Sequence, residues 1–257
     1  MSNDTILKVK GVTVTFGGIT ALDDVSFEVT RGAIVGLIGP NGAGKTTMFN
    51  CLSRAYTPAK GDIVFNGQPL LNVPAHRIAN AGIGRTFQNL AMFNELSVFD
   101  NVRIGAHSLY PSNLIKDVFG RSGSRNEKAI DEQAMRMVDY LHLAPVMHLR
   151  VGDLPFGTQK RVEMARSLAM NPSLLLLDEP ACGLNHEEVD ELGGLIRRVQ
   201  KDMSLSVLLV EHHMNLVMAV CEQIVVLNFG KKLAEGTPEA VRNSPEVVAA
   251  YLGQDAV

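Results

Sequence analysis

The sequence lacks the residues that several classes of protein depend on. Its 257 residues include three cysteines and no tryptophan, and the formal net charge is −3. The cysteines, Cys51, Cys182 and Cys221, lie far apart and form no Cys-x-x-Cys pair. This spacing argues against a zinc site or a disulfide framework, and it favours a reducing cytosol. The charge provides no basic face for bulk nucleic-acid binding, so we expect no nucleic-acid partner.

Signals for membrane insertion or export are missing as well. The first ten residues, MSNDTILKVK, contain no apolar stretch of signal-peptide length. No apolar run reaches the roughly 18 residues that a membrane-spanning helix needs. If the protein works at a membrane, we expect a partner to hold it there.

A phosphate-binding loop is the strongest signal that the sequence does contain. Residues 39–47 read GPNGAGKTT, the spacing G-x-x-x-x-G-K-T. In such a loop the glycines let backbone N–H groups converge on a phosphate. Lys45 supplies a positive charge for the β- and γ-phosphates, and Thr46 supplies a hydroxyl for Mg²⁺. A predicted strand at 33–38 and a predicted helix at 45–52 put the positive end of the helix dipole at the nucleotide. The predicted nucleotide contacts are Gly39, Asn41, Gly42, Ala43, Gly44, Lys45, Thr46 and Thr47.

The pattern along the chain predicts an α/β core with a helical insertion. Alternating apolar residues indicate strands near 7–16 and 25–29, and Asn66-Gly67 predicts a hairpin turn after a strand at 63–65. The pattern from 97 to 169 is helical. Continuous apolar runs at 174–177 and 207–210 are typical of buried parallel strands, and 186–202 is predicted to be a helix between them. We therefore expect the core to comprise 1–88 and 164–257, and the helical subdomain to comprise 89–163.

Further candidate residues follow strands of that core. Four leucines end in Asp178-Glu179, where Asp178 is placed to hold Mg²⁺ through its water shell and Glu179 to orient or deprotonate a water. The next strand ends in Val210-Glu211-His212-His213. A histidine there could donate to a γ-phosphate, but periodicity does not choose between His212 and His213. Gln88 lies where the core passes into the helical block, so its amide could reach both metal and water.

Taken in order, these motifs and the segment Leu154-Pro155-Phe156-Gly157-Thr158-Gln159 resemble the ATP-binding subunit of ABC transporters, which has a P-loop, RecA-like core and an N-terminal antiparallel β layer. The resemblance covers nearly the whole chain. More narrowly, the stretches 82–88, 154–157 and 210–212 look like the ATPases of high-affinity branched-chain amino-acid importers. The resemblance implies binding of ATP and Mg²⁺, with Thr46, Gln88 and Asp178 near the metal.

Several roles come from the resemblance alone. Phe16 matches the aromatic residue that stacks on adenine. The residues alone also allow Phe16 to be a core phenylalanine at a strand end. His212 matches the histidine that senses the γ-phosphate, which leaves Glu179, His212 and Lys45 as the predicted catalytic residues. Leu154, Gly157 and Gln159 match the signature that a second subunit presents to the γ-phosphate. ATP would then be held between two subunits.

Two segments depart from the family pattern. The signature usually reads Leu-Ser-Gly-Gly-Gln, whereas this chain has Pro155, Phe156 and Thr158 in place of Ser, the first Gly and Gln. Pro155 lacks the hydroxyl, although proline is compatible with a helix start. Asn185 stands where the family's dimer-facing loop usually carries Asp. We expect hydrolysis at the site that this chain's own phosphate loop builds.

The resulting functional hypothesis is the ATP-hydrolysing motor of a transporter for branched-chain or other hydrophobic amino acids. The implied partners are a second ABC ATPase subunit, identical or related, two membrane permeases and, indirectly, a periplasmic amino-acid-binding protein. The implied location is the cytoplasmic face of a bacterial inner membrane. Two alternatives stay open: an ATPase for lipopolysaccharide extraction or for urea or amide import, and a soluble ABC-type switch.

Overall fold

The computed structural model describes residues 5–86, 90–109 and 123–252. Its strands are β1 (Thr5–Phe16), β2 (Ile19–Thr30), β3 (Ile34–Ile38), β4 (Lys60–Phe65), β5 (Gln68–Pro69), β6 (Ile83–Arg85), β7 (Leu174–Asp178), β8 (Ser206–Val210), β9 (Gln223–Asn228) and β10 (Lys231–Gly236). Its α-helices are α1 (Lys45–Leu52), α2 (Ile78–Ala81), α3 (Val98–Ala106), α4 (Gly123–Tyr140), α5 (Phe156–Ala169), α6 (His186–Asp202), α7 (Met214–Val220), α8 (Pro238–Arg242) and α9 (Pro245–Leu252).

The chain divides into two compact units. The first comprises Met1–Ile78 and Leu176–Val257, and the second comprises Ala79–Leu175. The helical subdomain predicted from the sequence, 89–163, is about ten residues shorter at each end than this second unit. The difference has a local cause, because the Gly82 carbonyl accepts hydrogen bonds from the backbone N–H groups of Ser173 (2.8 Å) and Leu174 (3.1 Å). These bonds tie the two ends of the second unit together.

An antiparallel sheet in the first unit has the strand order β2-β1-β4-β5. Along β1, the alternate residues Leu7 and Val9 are buried, as are Val12 and Val14 further along. The turn from β4 to β5 places Asn66 at φ 48° and Gly67 at φ 74°. Positive φ at both central residues is what a tight two-residue hairpin requires, and Asn-Gly adopts it readily. The predicted antiparallel layer is therefore present.

A second sheet of the first unit carries the order β10-β9-β3-β8-β7. β3 is parallel to both β8 and β9, whereas β10 is antiparallel to β9. Every residue of β3, β7 and β8 is buried. Strands that are buried on both faces need continuous apolar sequence, which explains the runs IVGLI, LLLLD and SVLLV. Because β3 and β8 are parallel, the segments that follow them leave the sheet at the same edge.

The second unit is mainly helical, with α5 packed against α3 and α4. Ser97 caps α3, and its Oγ accepts a hydrogen bond from the Asp100 backbone N–H at 3.0 Å. Gly105 lets α3 approach α5 closely, since a Cβ at this position would lie 2.0 Å from the Arg166 carbonyl oxygen. Among the described residues, no helix has the length and apolar character needed to cross a membrane.

Candidate functional site

The phosphate loop connects the end of β3 to the start of α1, as predicted. Gly39 (φ 151°) and Gly44 (φ 103°) adopt backbone conformations that favour glycine. A Cβ on Gly39 would lie 2.1 Å from the Leu227 carbonyl oxygen, and one on Gly44 would lie 2.6 Å from Leu22 Cδ2. At the N-terminus of α1, no side chain from the described part of the chain caps the helix. The loop thus presents backbone N–H groups and the positive helix end to an anion.

Lys45 is buried within this loop, with a relative exposure of 7%. Its Nζ donates hydrogen bonds to the carbonyl oxygens of Gly39 (2.6 Å) and Pro40 (2.9 Å). Burial lowers the pKa of Lys45, and the negative charges of Glu179 and Asp178 partly oppose that effect. The ammonium group is therefore hydrogen-bonded to the loop backbone, and the negative charge of the two carboxylates favours its protonated form.

The other loop residues differ in exposure. Asn41, Gly42 and Thr46 are exposed, Thr47 is half-buried and Ala43 is buried. Gly42 has φ 78°, while a Cβ there would meet nothing within 4 Å, so this glycine is required by backbone conformation and not by space. Thr46 is exposed and lies in the first turn of α1, where its hydroxyl is a candidate ligand for a metal ion.

Asp178 and Glu179 lie at the carboxyl end of β7. Asp178 is 3% exposed and ends the strand. Glu179 has φ 48°, which is uncommon for a residue with a side chain and marks a locally strained backbone. Its backbone N–H donates to the Val210 carbonyl oxygen at 2.9 Å, so the ends of β7 and β8 are joined directly. The two predicted carboxylates therefore lie next to the end of the strand that carries the histidines.

The two histidines after β8 have different neighbours. His212 Nδ1 lies 3.8 Å from Glu179 Oε2, and the His212 side chain is 53% exposed. Glu211 Oε2 lies closer to His213 Nδ1, at 3.1 Å, than to His212 Nδ1, at 4.0 Å. The structure thus brings His212, but not His213, to the predicted water-activating carboxylate.

Glu211 is a site residue whose role the sequence reasoning missed. It is 1% exposed, and its Oε1 accepts a hydrogen bond from the Ala181 backbone N–H at 2.7 Å. Its Oε2 accepts from the backbone N–H groups of His212 (2.9 Å) and His213 (3.1 Å). One buried carboxylate therefore ties the segment after Glu179 to the segment that carries His212. Its position between a strand and two histidines was the only sequence signal, and that signal does not reveal the Ala181 contact.

Phe16 ends β1 with 42% exposure, so the alternative of a core phenylalanine is not what the structure has. Its ring meets Tyr56 edge to face, with the centroids 5.1 Å apart and the planes at 68°. Tyr56 is itself 39% exposed and was not singled out in the sequence. Edge-to-face packing leaves an aromatic face at Phe16 on which a flat ring can stack.

The predicted signature segment lies in the second unit. Pro155 (φ −55°, ψ 146°) is the N-cap of α5, and Phe156 begins the helix. Gln159 Nε2 donates to the Leu154 carbonyl oxygen at 2.9 Å, which fixes the segment around Gly157. Lys160 is 8% exposed, and its Nζ lies 5.4 Å from the centroid of the Phe156 ring, a cation–π distance. Gln88, the remaining predicted site residue, lies outside the described residues.

Comparison with known proteins identifies this arrangement. A family model described as "ABC transporter" matches residues 22–182. The chain belongs to the ABC transporter family. A second model, for the branched-chain amino acid ATP-binding cassette transporter, matches residues 231–257. These matches confirm the family that the motif order predicted.

Named relatives of this ABC protein match along nearly its whole length. The high-affinity branched-chain amino acid transport ATP-binding protein BraF of Pseudomonas aeruginosa is 41% identical, over 97% of this chain and 98% of the relative. The corresponding protein LivG of Escherichia coli K12 is 39% identical with the same coverage. The chain is therefore an ATP-binding subunit of the ABC transporter class, with ATP hydrolysis as its enzymatic activity.

Solved structures support the same fold for this ABC subunit. A nucleotide-free ATP-binding cassette of an ABC transporter aligns with TM-score 0.84 and 27% identity, over 96% of this chain and 98% of that one. A dimeric bacterial ABC transporter cassette aligns with TM-score 0.76 and 25% identity, over 90% and 98%. The predicted P-loop α/β fold with its antiparallel layer is confirmed, and the second of these two cassettes is dimeric.

One departure from the family pattern has a local explanation. Asn185 is the N-cap of α6, and its Oδ1 accepts a hydrogen bond from the Glu188 backbone N–H at 3.0 Å. Glu188 Oε2 accepts in return from the Asn185 backbone N–H at 2.9 Å, completing a capping box. Asn and Asp are nearly equivalent as N-caps, so Asn185 preserves the helix start in this loop.

Proposed function

We infer that this chain is the ATP-hydrolysing motor subunit of an importer for branched-chain amino acids. The observation that carries the nucleotide part is the convergence, in one unit, of the phosphate loop, the Asp178-Glu179 pair and His212. The cargo assignment rests on BraF and LivG and on the family model at residues 231–257. A protein that extracts lipopolysaccharide, or imports urea or amides, would share the motor, but these C-terminal residues favour the amino-acid assignment.

The described residues fit ATP with Mg²⁺. Uncapped N–H groups at α1, two left-handed glycines and the Lys45 ammonium suit a triphosphate. The Thr46 hydroxyl and the Asp178 carboxylate are oxygen donors of the kind that Mg²⁺ prefers, and Gln88 is the third proposed donor. When bound, Mg²⁺ neutralises charge that develops on the β- and γ-phosphate oxygens. Phe16 offers its ring face to the base.

In this proposal each residue of the chain has one task in hydrolysis. Lys45 stabilises the negative charge on the transferring phosphoryl group. Glu179 orients the attacking water and accepts its proton. His212, which lies 3.8 Å from Glu179, donates to the γ-phosphate and reports whether that phosphate is present. Leu154, Gly157 and Gln159 belong to the segment presented to the ATP bound by a second subunit.

The proposed assembly pairs this chain with a second ABC ATPase, identical or related, so that two ATP molecules are held at their interface. We further propose attachment to two membrane permeases at the cytoplasmic face of a bacterial inner membrane, with a periplasmic amino-acid-binding protein delivering the cargo. The dimeric cassette supports pairing, and the names of BraF and LivG support the transport system.

The Glu179→Gln variant tests the nucleotide part. Glutamine keeps the size of the side chain but cannot accept a proton, so ATP should still bind while turnover falls by about a hundredfold or more. Calorimetry of ATP binding and phosphate release from the purified full-length chain measure the two effects. Glu191→Gln, an exposed position on α6, is the matched control and should behave like wild type. Normal turnover in Glu179→Gln would remove Glu179 from its assigned role.

Co-purification tests the cargo. The tagged chain is isolated from its native membrane together with the proteins that hold it, and the associated binding protein is titrated with leucine, isoleucine, valine and urea. Binding of the three branched-chain amino acids and not urea is the expected result. Recovery of a lipopolysaccharide-extraction complex, or of ribosomes, would refute the importer assignment without affecting the ATPase assignment.

A further inference from the structure

A cavity of about 720 Å³ lies among helices α7, α8 and α9 of the first unit. Most of its wall is apolar: Met214, Met218, Ala219, Val241, Val247 and Val248. None of the lining residues belongs to the proposed nucleotide site. The volume falls within the range of roughly 300–1,000 Å³ that is typical of small-molecule sites. The size and lining therefore suit a ligand with an apolar body.

The polar groups of the wall indicate which charge a ligand would carry. They are the side chains of Asn215, Arg242 and Tyr251, and no carboxylate from the described part of the chain lines the cavity. Arg242 ends α8, is exposed, and has no ion pair or hydrogen bond to any residue that the structure describes. An unpaired guanidinium at the rim of an apolar cavity favours an anion, and a carboxylate matches its planar fork.

The cavity wall also adjoins the nucleotide site at two points. Helix α7 begins at Met214, directly after the His212-His213 pair. Tyr251 lines the cavity, and burial raises the pKa of its hydroxyl to about 12, with the Gly39 backbone as a weaker, opposing influence. No described group makes a hydrogen bond of ordinary geometry to this buried hydroxyl. A ligand that moves α7 or the Tyr251 ring would therefore act on His212 or on the first glycine of the phosphate loop.

The lining is concentrated in one segment of the sequence. Five of the nine lining residues (Val241, Arg242, Val247, Val248 and Tyr251) lie within 231–257, the stretch matched by the branched-chain amino acid transporter model. This segment contributes neither the phosphate loop nor the catalytic carboxylates. Hydrolysis therefore does not explain why this segment is present, whereas ligand binding would.

We propose that this cavity is a binding site for a small carboxylate with an apolar body, that Arg242 pairs with the carboxylate, and that occupancy is coupled to ATP binding. A free amino acid also offers a carboxylate, but its ammonium group would find no acidic partner among the wall residues that the structure describes. The preferred ligand is therefore a simple carboxylic acid of medium chain length.

Direct titration of the purified full-length chain tests the binding. Octanoate is the probe, and octylamine and leucine are the comparison ligands, measured by calorimetry and by the methyl signals of ¹³C-labelled methionines. Octanoate should shift the signals of Met214 and Met218 and bind at least about tenfold more tightly than either comparison ligand. Octylamine binding as tightly as octanoate would overturn the role of charge, and leucine binding as tightly would overturn the choice of a simple acid.

Two variants separate the role of Arg242 from general effects of lost charge. Arg242→Gln should weaken octanoate binding by about tenfold or more, since it removes one charge-assisted hydrogen bond. Arg197→Gln, an exposed arginine on α6 that does not line the cavity, is the matched control and should bind like wild type. Equal affinities in wild type and Arg242→Gln would refute the proposed pairing.

Coupling is measured as the change in the ATP dissociation constant when octanoate is saturating. We expect a change of about fivefold or more, and by linkage ATP must change octanoate affinity by the same factor. Tyr251→Phe removes the hydroxyl that the Gly39 backbone influences and should therefore reduce that factor. An ATP dissociation constant unaffected by octanoate in the wild-type chain would overturn the coupling.

Discussion

Replacing Glu211 by glutamine tests whether one buried carboxylate positions both sides of the hydrolytic site. Glu211 accepts hydrogen bonds from the backbone N–H groups of Ala181, His212 and His213, at 2.7, 2.9 and 3.1 Å. Ala181 follows Glu179 by two residues in the sequence, and His212 is adjacent to Glu211. One oxygen of the carboxylate therefore fixes the segment that carries the proposed general base, Glu179. The other oxygen fixes the segment that carries the proposed phosphate sensor, His212.

The size of the effect follows from the number of acceptors. Glutamine offers one acceptor oxygen instead of two, so its NH₂ group must face N–H donors on one side. If the oxygen stays with the histidine amides, the Ala181 N–H loses its partner in the interior, at a cost of about 1–3 kcal/mol. We expect the free energy of unfolding to fall by that amount. A similar loss in the transition state, about 1.4 kcal/mol, would lower turnover about tenfold.

Three measurements on the purified full-length chain check this prediction: chemical denaturation, calorimetric ATP binding and steady-state phosphate release. Glu211→Gln should lower stability and kcat while leaving the ATP dissociation constant within about twofold, because the phosphate loop makes no hydrogen bond to Glu211 among the described contacts. Glu191→Gln is the exposed control. Unchanged kcat, or a loss of ATP affinity as large as the loss of kcat, would refute the positioning role.

Three further changes have defined outcomes. Lys45→Ala removes the ammonium held by the Gly39 and Pro40 carbonyls, and calorimetry should show at least about tenfold weaker ATP binding; unchanged affinity would contradict the phosphate cradle. Pro155→Ser supplies a hydroxyl at the start of α5 and should raise ATPase activity of the assembled transporter, whereas an unchanged rate would mean that the hydroxyl is not limiting. Burial raises the pKa of Cys51 to about 11 and of Cys221 to about 12. Since only the thiolate reacts, iodoacetamide at pH 8 should modify the half-buried Cys182 alone until the chain is unfolded; rapid modification of Cys221 in the native protein would contradict its burial.

Elements with strong local patterns were predictable from the sequence. The helices at 45–52 and 186–202 have the bounds that the sequence predicted, and Asn66-Gly67 forms the expected hairpin turn. Strands β6 and β10 were not predicted. β10 has the sequence KKLAEG and lies at the edge of its sheet. A strand at a sheet edge can consist mostly of polar residues, so β10 lacks the apolar pattern of a buried strand. Its pairing with β9 depends on a partner strand and not on a pattern of its own.

Contiguous motifs identified most of the candidate site, but the choice between the two histidines needed three dimensions. His212 and His213 are adjacent, so neither spacing nor flanking residues separate them, and only resemblance favoured His212. In the structure the distances differ: Glu211 Oε2 lies 3.1 Å from His213 Nδ1 but 4.0 Å from His212 Nδ1, and His212 Nδ1 lies 3.8 Å from Glu179 Oε2. Glu211 thus holds the His213 imidazole and both backbone amides, while the His212 side chain is 53% exposed and accessible to a ligand. The sequence shows Glu211 only as one more acidic residue, since its contact with Ala181 spans 30 positions of the chain.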